Sequence, residues 1–157
     1  MHKRTDAEQL IAQLEELKKT DERTKYAYEF AEDESGIANG EPETLERVIV
    51  QTAQMRRNYE LYHDTVFMDA TYATNPYRMP LVVFSGVNNE GKNCILGFAL
   101  VKRETMETYA WLLTHLKSFA NDEGPQVLLT DFDPSMAGAI ERVLPKTTHL
   151  LCQWHMM

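Results

Sequence analysis

A chain of 157 residues, 43% hydrophobic and 10% aromatic, suits one domain with a sizeable core, which excludes wholesale disorder. Seven glycines and six prolines exclude a collagen-like or linker-rich chain, no apolar run approaches the roughly 20 residues of a membrane span, and no secretory signal follows Met1. A net charge of −8 argues against a self-sufficient nucleic-acid binder, and two separate cysteines, Cys94 and Cys152, exclude a disulfide framework and fit a reducing cytoplasmic or nuclear compartment.

Thr5 and Glu8 form a capping box, followed by Ala7, Leu10, Ile11, Leu14 and Leu17 at helical spacing. Glu15 and Lys19 are a favourable i,i+4 pair on this helix, which is expected to pack on its own domain, with dimerisation as the alternative. Lys25 to Phe30 alternates aromatic and polar residues like a strand. Ala31 to Glu43, acidic and holding Gly36, Gly40 and Pro42, reads as a loop, and Leu45 to Val50 returns as a second strand. Gln54 to Tyr62 predicts a short helix. These elements form an N-terminal extension over residues 1–62, followed by a core over 63–157.

The core opens with three apolar strands, Thr65–Thr71, Leu81–Val87 and Cys94–Val101. Asn88-Asn89-Glu90-Gly91 is a hairpin signal between the second and third. Tyr109, Leu112, Leu113, Leu116 and Phe119 mark a helix face that Gly124-Pro125 ends. Val127–Thr130 is a buried-type strand, after which Asp133 caps a helix with Pro134 at its first position. His149–Trp154 predicts the last strand. The order βββαβαβ implies an α/β fold, a mixed sheet with helices on its faces, and matches the ribonuclease H fold up to its last helix.

Two acids stand out. Asp69 interrupts an apolar strand, where a lone buried carboxylate costs several kcal/mol unless it is paired or metal-bound. It is either a metal ligand or a strand-end aspartate bonded to backbone or to Thr71. Asp131 lies at the carboxyl end of its strand, where open sheets place ligands; a turn or cap role is the alternative. In the ribonuclease H topology the first and fourth strands are neighbours, so the two carboxylates should lie within about 6 Å of each other. At about 4 Å and an effective dielectric of 20 they would repel by roughly 4 kcal/mol, so they share a proton or hold a divalent cation. Hard oxygen ligands suit Mg2+ or Mn2+, and two such ions support phosphodiester chemistry.

The remaining candidates are weaker. Asp133 is a better helix cap than metal ligand. Cys152 and His155 have zinc-ligand spacing, but two ligands are half a site, and a buried cysteine with a surface histidine is the simpler reading. Tyr72, Thr74, Asn75, Tyr77 and Arg78 follow the Asp69 strand as an aromatic and polar loop. Such a loop suits either DNA contact or an ordinary connection at the sheet edge.

Together these residues form a pattern. Asp69-Ala70-Thr71-Tyr72, Thr74-Asn75, Tyr77 and Met79-Pro80 resemble the DxTYxTNxYxxPL block of Mutator-like (MULE) transposases and of the related far-red-impaired-response-like regulators. Gly86-Val87-Asn88 with Gly91, and Leu96 to Leu100, resemble the hairpin of that domain. Glu104-Thr105, Glu107-Thr108 and Trp111-Leu112 resemble its helix entry. Thr130-Asp131 with Met136 and Ala139-Ile140 resembles its TDxxxxMxxAI block, and Cys152-Gln153-Trp154-His155 its CxWH.

The resemblance runs from about Arg57 to His155 in order. It implies a ribonuclease-H-like DDE transposase core in which Asp69 and Asp131 are the first two of three metal-binding acids. The third acid is expected on a helix beyond Met157, so the chain alone is expected not to cleave DNA and to leave apolar sheet surface uncovered. The partners implied are DNA at transposon ends and another copy of the chain, in the nucleus. The alternatives are a non-catalytic DNA-associated regulator or an inactive transposon-derived fragment.

Overall fold

Strands and helices follow the two apolar periodicities of the chain closely. The computed structural model describes residues 5–32, 44–72 and 74–153. Its elements are α1 (Asp6–Thr20), β1 (Lys25–Phe30), β2 (Leu45–Gln51), α2 (Ala53–Tyr62), β3 (Thr65–Thr71), β4 (Leu81–Val87), β5 (Asn93–Val101), α3 (Met106–Phe119), β6 (Val127–Thr130), α4 (Pro134–Val143) and β7 (Thr148–Leu151). Most of the expected loop from Ala31 to Glu43 lies outside the described residues.

Helix starts are set by local chemistry. Thr5 and Glu8 close the capping box at 3.2 and 2.8 Å. Thr52 caps α2 and Thr105 caps α3. One expected pair differs: Lys19 bonds Glu16 at 2.9 Å, one residue off the predicted partner Glu15. Both lysine–glutamate spacings are neighbours on a helix surface, and the shorter one is taken. The hairpin signal holds: Asn88 Oδ1 accepts from the Glu90 and Lys92 amides, and Gly91 takes φ +74°, which a residue without Cβ adopts freely.

All seven strands form one mixed sheet in the order β1-β2-β5-β4-β3-β6-β7. The first four pairings from the β1 edge are antiparallel; β3–β6 and β6–β7 are parallel. The first and fourth strands of the core, β3 and β6, are hydrogen-bonded neighbours, as expected. The last strand, expected over His149–Trp154, runs over Thr148–Leu151, and Trp154 lies outside the described residues. The partner strand supplies the reason for the end at Leu151: Thr130, the final residue of β6, pairs with Leu151, and the Cys152 amide donates to the Thr130 carbonyl at 2.7 Å as the last rung.

Period-two alternation divides the sheet's faces. On one face Ile49, Val66, Met68, Val82, Phe84, Leu96, Ala99 and Leu128 pack against α2, α3 and α4, with Tyr59, Tyr109, Leu112, Leu113 and Met136 at the centre. On the other face α1 lays Ile11 and Leu14 over Leu45, Val48 and Val50. That second layer covers only the β1-β2-β5 half. Phe67, Val83 and Leu129 on the other half are half-buried, and Leu150 on the edge strand is exposed. Among the described residues no helix is long and apolar enough to cross a membrane.

Candidate functional site

The carboxyl ends of β3 and β6 carry the two acids singled out from sequence. Their parallel pairing matches Thr65 with Val127, Val66 with Leu128 and Phe67 with Leu129. β6 ends at Thr130, so Asp131 directly follows it, and the same offset carried past the strand end would set Asp131 level with Asp69. Alternation turns Asp69 to the face of Phe67, away from α3 and α4, since Val66 and Met68 are the buried members; continued past β6 it would turn Asp131 the same way. Both aspartates are half-buried, and the Oδ1 atom of Asp131 is shielded from solvent. They thus sit on the half of the sheet that α1 leaves open.

The chain fixes Asp131 from behind. Thr130, 1% exposed, donates its hydroxyl proton to the Asp131 carbonyl at 2.8 Å. The same Oγ1 lies 2.7 Å from His149 Nε2. With its only proton already donated, Thr130 must accept here, so Nε2 carries the hydrogen. Burial pushes the His149 pKa down, in keeping with a neutral ring.

Asp133 is a cap. Its Oδ1 accepts from the Ser135 and Met136 amides at 2.8 and 3.3 Å, with Pro134 opening α4. Among the described residues no group of three or more His, Cys, Asp or Glu side chains is arranged to hold a metal ion. The donors present, two hard carboxylates at the ends of neighbouring strands, fit part of a Mg2+ or Mn2+ shell rather than a complete cage.

The loop after β3 is built by its own residues. The Asn75 side chain accepts from the Tyr77 and Met79 amides at 3.1 and 3.2 Å and donates to the Met79 carbonyl at 2.7 Å. Its amide therefore shapes the loop. Tyr77 and Arg78 are exposed, and Arg78 takes a left-handed φ of 55°. Cys152 is a half-buried free thiol, and His155 lies outside the described residues.

Two residues given no site role from the sequence belong to this end of the sheet. Glu104 accepts the Tyr72 hydroxyl at 2.7 and 2.9 Å and the Tyr109 hydroxyl at 2.9 Å. The bond to Glu104 raises the Tyr72 phenol to about 12, with smaller contributions from burial and from the charges of Glu104, Asp133 and Asp131. Phe132, between Asp131 and Asp133, is 78% exposed. A single sequence gives no sign of the Glu104 contact with Tyr72, which joins residues 32 apart.

The sequence pattern of the MULE transposase domain matches residues 65–157. The chain is 31% identical over 152 residues to "Protein FAR-RED IMPAIRED RESPONSE 1" of Arabidopsis thaliana, covering 97% of this chain and 17% of that protein. It is 31% identical over 152 residues to "Protein FAR1-RELATED SEQUENCE 4" of the same plant, covering 97% and 20%. To "Protein FAR1-RELATED SEQUENCE 11", also from that plant, it is 36% identical over 110 residues, covering 70% and 16%. The chain spans about a fifth or less of the length of these relatives.

Proposed function

The chain belongs to the MULE transposase domain family, and from that premise we propose that it supplies two carboxylates, Asp69 and Asp131, to a ribonuclease-H-like DDE transposase core. The observation that carries this reading is the parallel pairing of β3, which holds Asp69, with β6, which Asp131 directly follows. The antiparallel run β5-β4-β3 followed by parallel β6 and β7 supports the ribonuclease H assignment.

The chain's own residues divide the work. Asp69 and Asp131 would hold Mg2+ or Mn2+ through carboxylate oxygens on the open face. A pair of such ions, when bound, polarises water or a 3′-hydroxyl and stabilises the leaving oxygen of a phosphodiester. Thr130 and His149 hold the backbone that aims Asp131, and Asp133 anchors α4. Tyr77 and Arg78 line the approach of a DNA strand, while Asn75 keeps their loop in shape. Two carboxylates grip a cation loosely, so the chain by itself is expected not to cut DNA. In the complete protein the same site would cleave and join transposon ends in the nucleus. A zinc role for Cys152 with His155 needs further ligands from elsewhere.

A second reading has its own support. One relative is named for an impaired far-red response, in keeping with a far-red-impaired-response-like regulator that keeps the fold without cutting DNA. An excision assay with the gene's complete product separates the two. Under the transposase reading Asp69→Asn or Asp131→Asn abolishes excision. If neither substitution changes excision, or if the unmodified product excises nothing yet drives a DNA-bound reporter, the catalytic reading fails.

A further inference from the structure

The aspartate end of the sheet also carries two exposed rings in unlike settings. Tyr72 follows β3 and Phe132 follows β6, two strands paired in parallel, so both rings stand at the same carboxyl edge. Phe132 is 78% and Tyr72 61% exposed. An exposed surface tyrosine is ordinarily free to rotate. Tyr72 is not, because its hydroxyl is bound to both oxygens of Glu104. Glu104 in turn accepts from Tyr109, which is 0% exposed in the core of α3. A ring anchored through a carboxylate to the core, yet open to solvent, is preorganised for a ligand.

The charge around the rings selects the part of a nucleic acid that fits. Glu104 binds the Tyr72 hydroxyl, Asp131 and Asp133 flank Phe132 in the chain, and each carboxylate repels a phosphate. A neutral nucleobase is not repelled, its flat face suits an aromatic ring, and the amino hydrogens of adenine, guanine or cytosine suit nearby carboxylate acceptors. Such a face is reachable only when the base is unstacked from a duplex.

We propose that Tyr72 and Phe132 form an aromatic platform at the carboxyl edge of β3 and β6, with Tyr72 held in place by Glu104, that stacks on an unpaired nucleobase. The proposal rests on the transposase-core reading and names its substrate: DNA with an unpaired or extruded nucleotide at the carboxyl edge of β3 and β6. Tyr72 and Phe132 touch the base; Glu104 is a positioning residue.

The test titrates the chain into a duplex carrying a single bulged 2-aminopurine, and into the same strand fully paired, with EDTA and with Mn2+. Emission of the bulged probe is expected to fall on binding, and that of the paired probe to stay. Phe132→Ala and Tyr72→Ala, both at exposed positions where folding is not at stake, should weaken binding to the bulge between about five- and a hundredfold. Glu104→Ala should weaken it as well, with Glu104→Gln, which keeps an acceptor oxygen, restoring much of the loss. Equal binding by wild type and Phe132→Ala overturns the proposal, as does the absence of quenching at millimolar chain. Failure of the underlying reading looks different: quenching that depends on Phe132 but is indifferent to Mn2+ and to Asp131→Asn would keep the platform and remove the metal site.

Discussion

Replacing Asp133 tests how the two acids of the Asp131-Phe132-Asp133 segment divide their roles. Asp133 Oδ1 satisfies two amides at the start of α4, those of Ser135 and Met136, and α4 brings Met136, Ala139 and Ile140 into the core. Loss of such a cap costs about 1 kcal/mol, within a usual range of roughly 0.5–2. In a domain of this size that lowers Tm by about 2–4 °C. Asp133→Ala should show that fall in thermal and urea unfolding. Asp133→Asn keeps an acceptor oxygen and should recover most of it, because asparagine caps as well as aspartate. Both variants should bind Mn2+ as the unaltered chain does, since the carboxylate faces the helix start. If Asp133→Ala melts unchanged, or Asp133→Asn melts normally but loses Mn2+ binding, the assignment of Asp133 to the helix and Asp131 to the cation is wrong.

Other perturbations probe the scaffold. Arg47, 9% exposed, bonds Glu29 at 2.9 and 2.6 Å and Thr108 at 3.3 Å, and lies 5.1 Å over the Trp111 ring. Arg47→Met should cost about 1–3 kcal/mol by urea unfolding, and Arg47→Lys should recover only part, because an ammonium lacks the planar fork; full recovery by lysine would contradict this. Burial lowers the pKa of both His115 and His149, so the folded chain resists their protonation. Above the ordinary histidine value of 6.5 both states are neutral and nothing is gained or lost. As pH falls below it the unfolded chain binds protons that the folded chain refuses, so stability drops until the folded pKa is passed. Tm should therefore be lower at pH 5.5 than at 7.5, and His149→Gln, which keeps an N–H donor for Thr130, should shrink the difference. An equal drop in that variant would remove His149 from the account.

Much of the fold was legible because its determinants are local. Thr5 with Glu8, Asn88 with Gly91, and Asp133 with Pro134 each set an element boundary through contacts a few residues apart. Where an outcome depended on a distant partner, the sequence misled or was silent. The apolar run from His149 continues through Cys152 to Trp154, but β7 stops at Leu151 because β6 offers no further residue to pair. One local choice also escaped the pattern: Lys19 bonds Glu16, three residues away, and not Glu15.

The candidate site divides the same way. Asp69 was conspicuous as an acid in an apolar strand, and Asp131 as an acid at a strand's end. Their common level depends on a register that only the pairing of β3 with β6 defines. Asn75 reads in sequence as a polar residue in an aromatic loop, and its bonds to Tyr77 and Met79 give it a shaping role. Phe132 was hidden by its neighbours: between two aspartates it reads as filler, and only its 78% exposure sets it apart.

Mn2+ binding followed by electron paramagnetic resonance tests the central claim most directly. The chain should take up the ion weakly, with Asp69→Asn and Asp131→Asn each abolishing uptake while Asp133→Asn leaves it intact. Uptake that survives in both single variants would mean that the two aspartates do not act together on a cation.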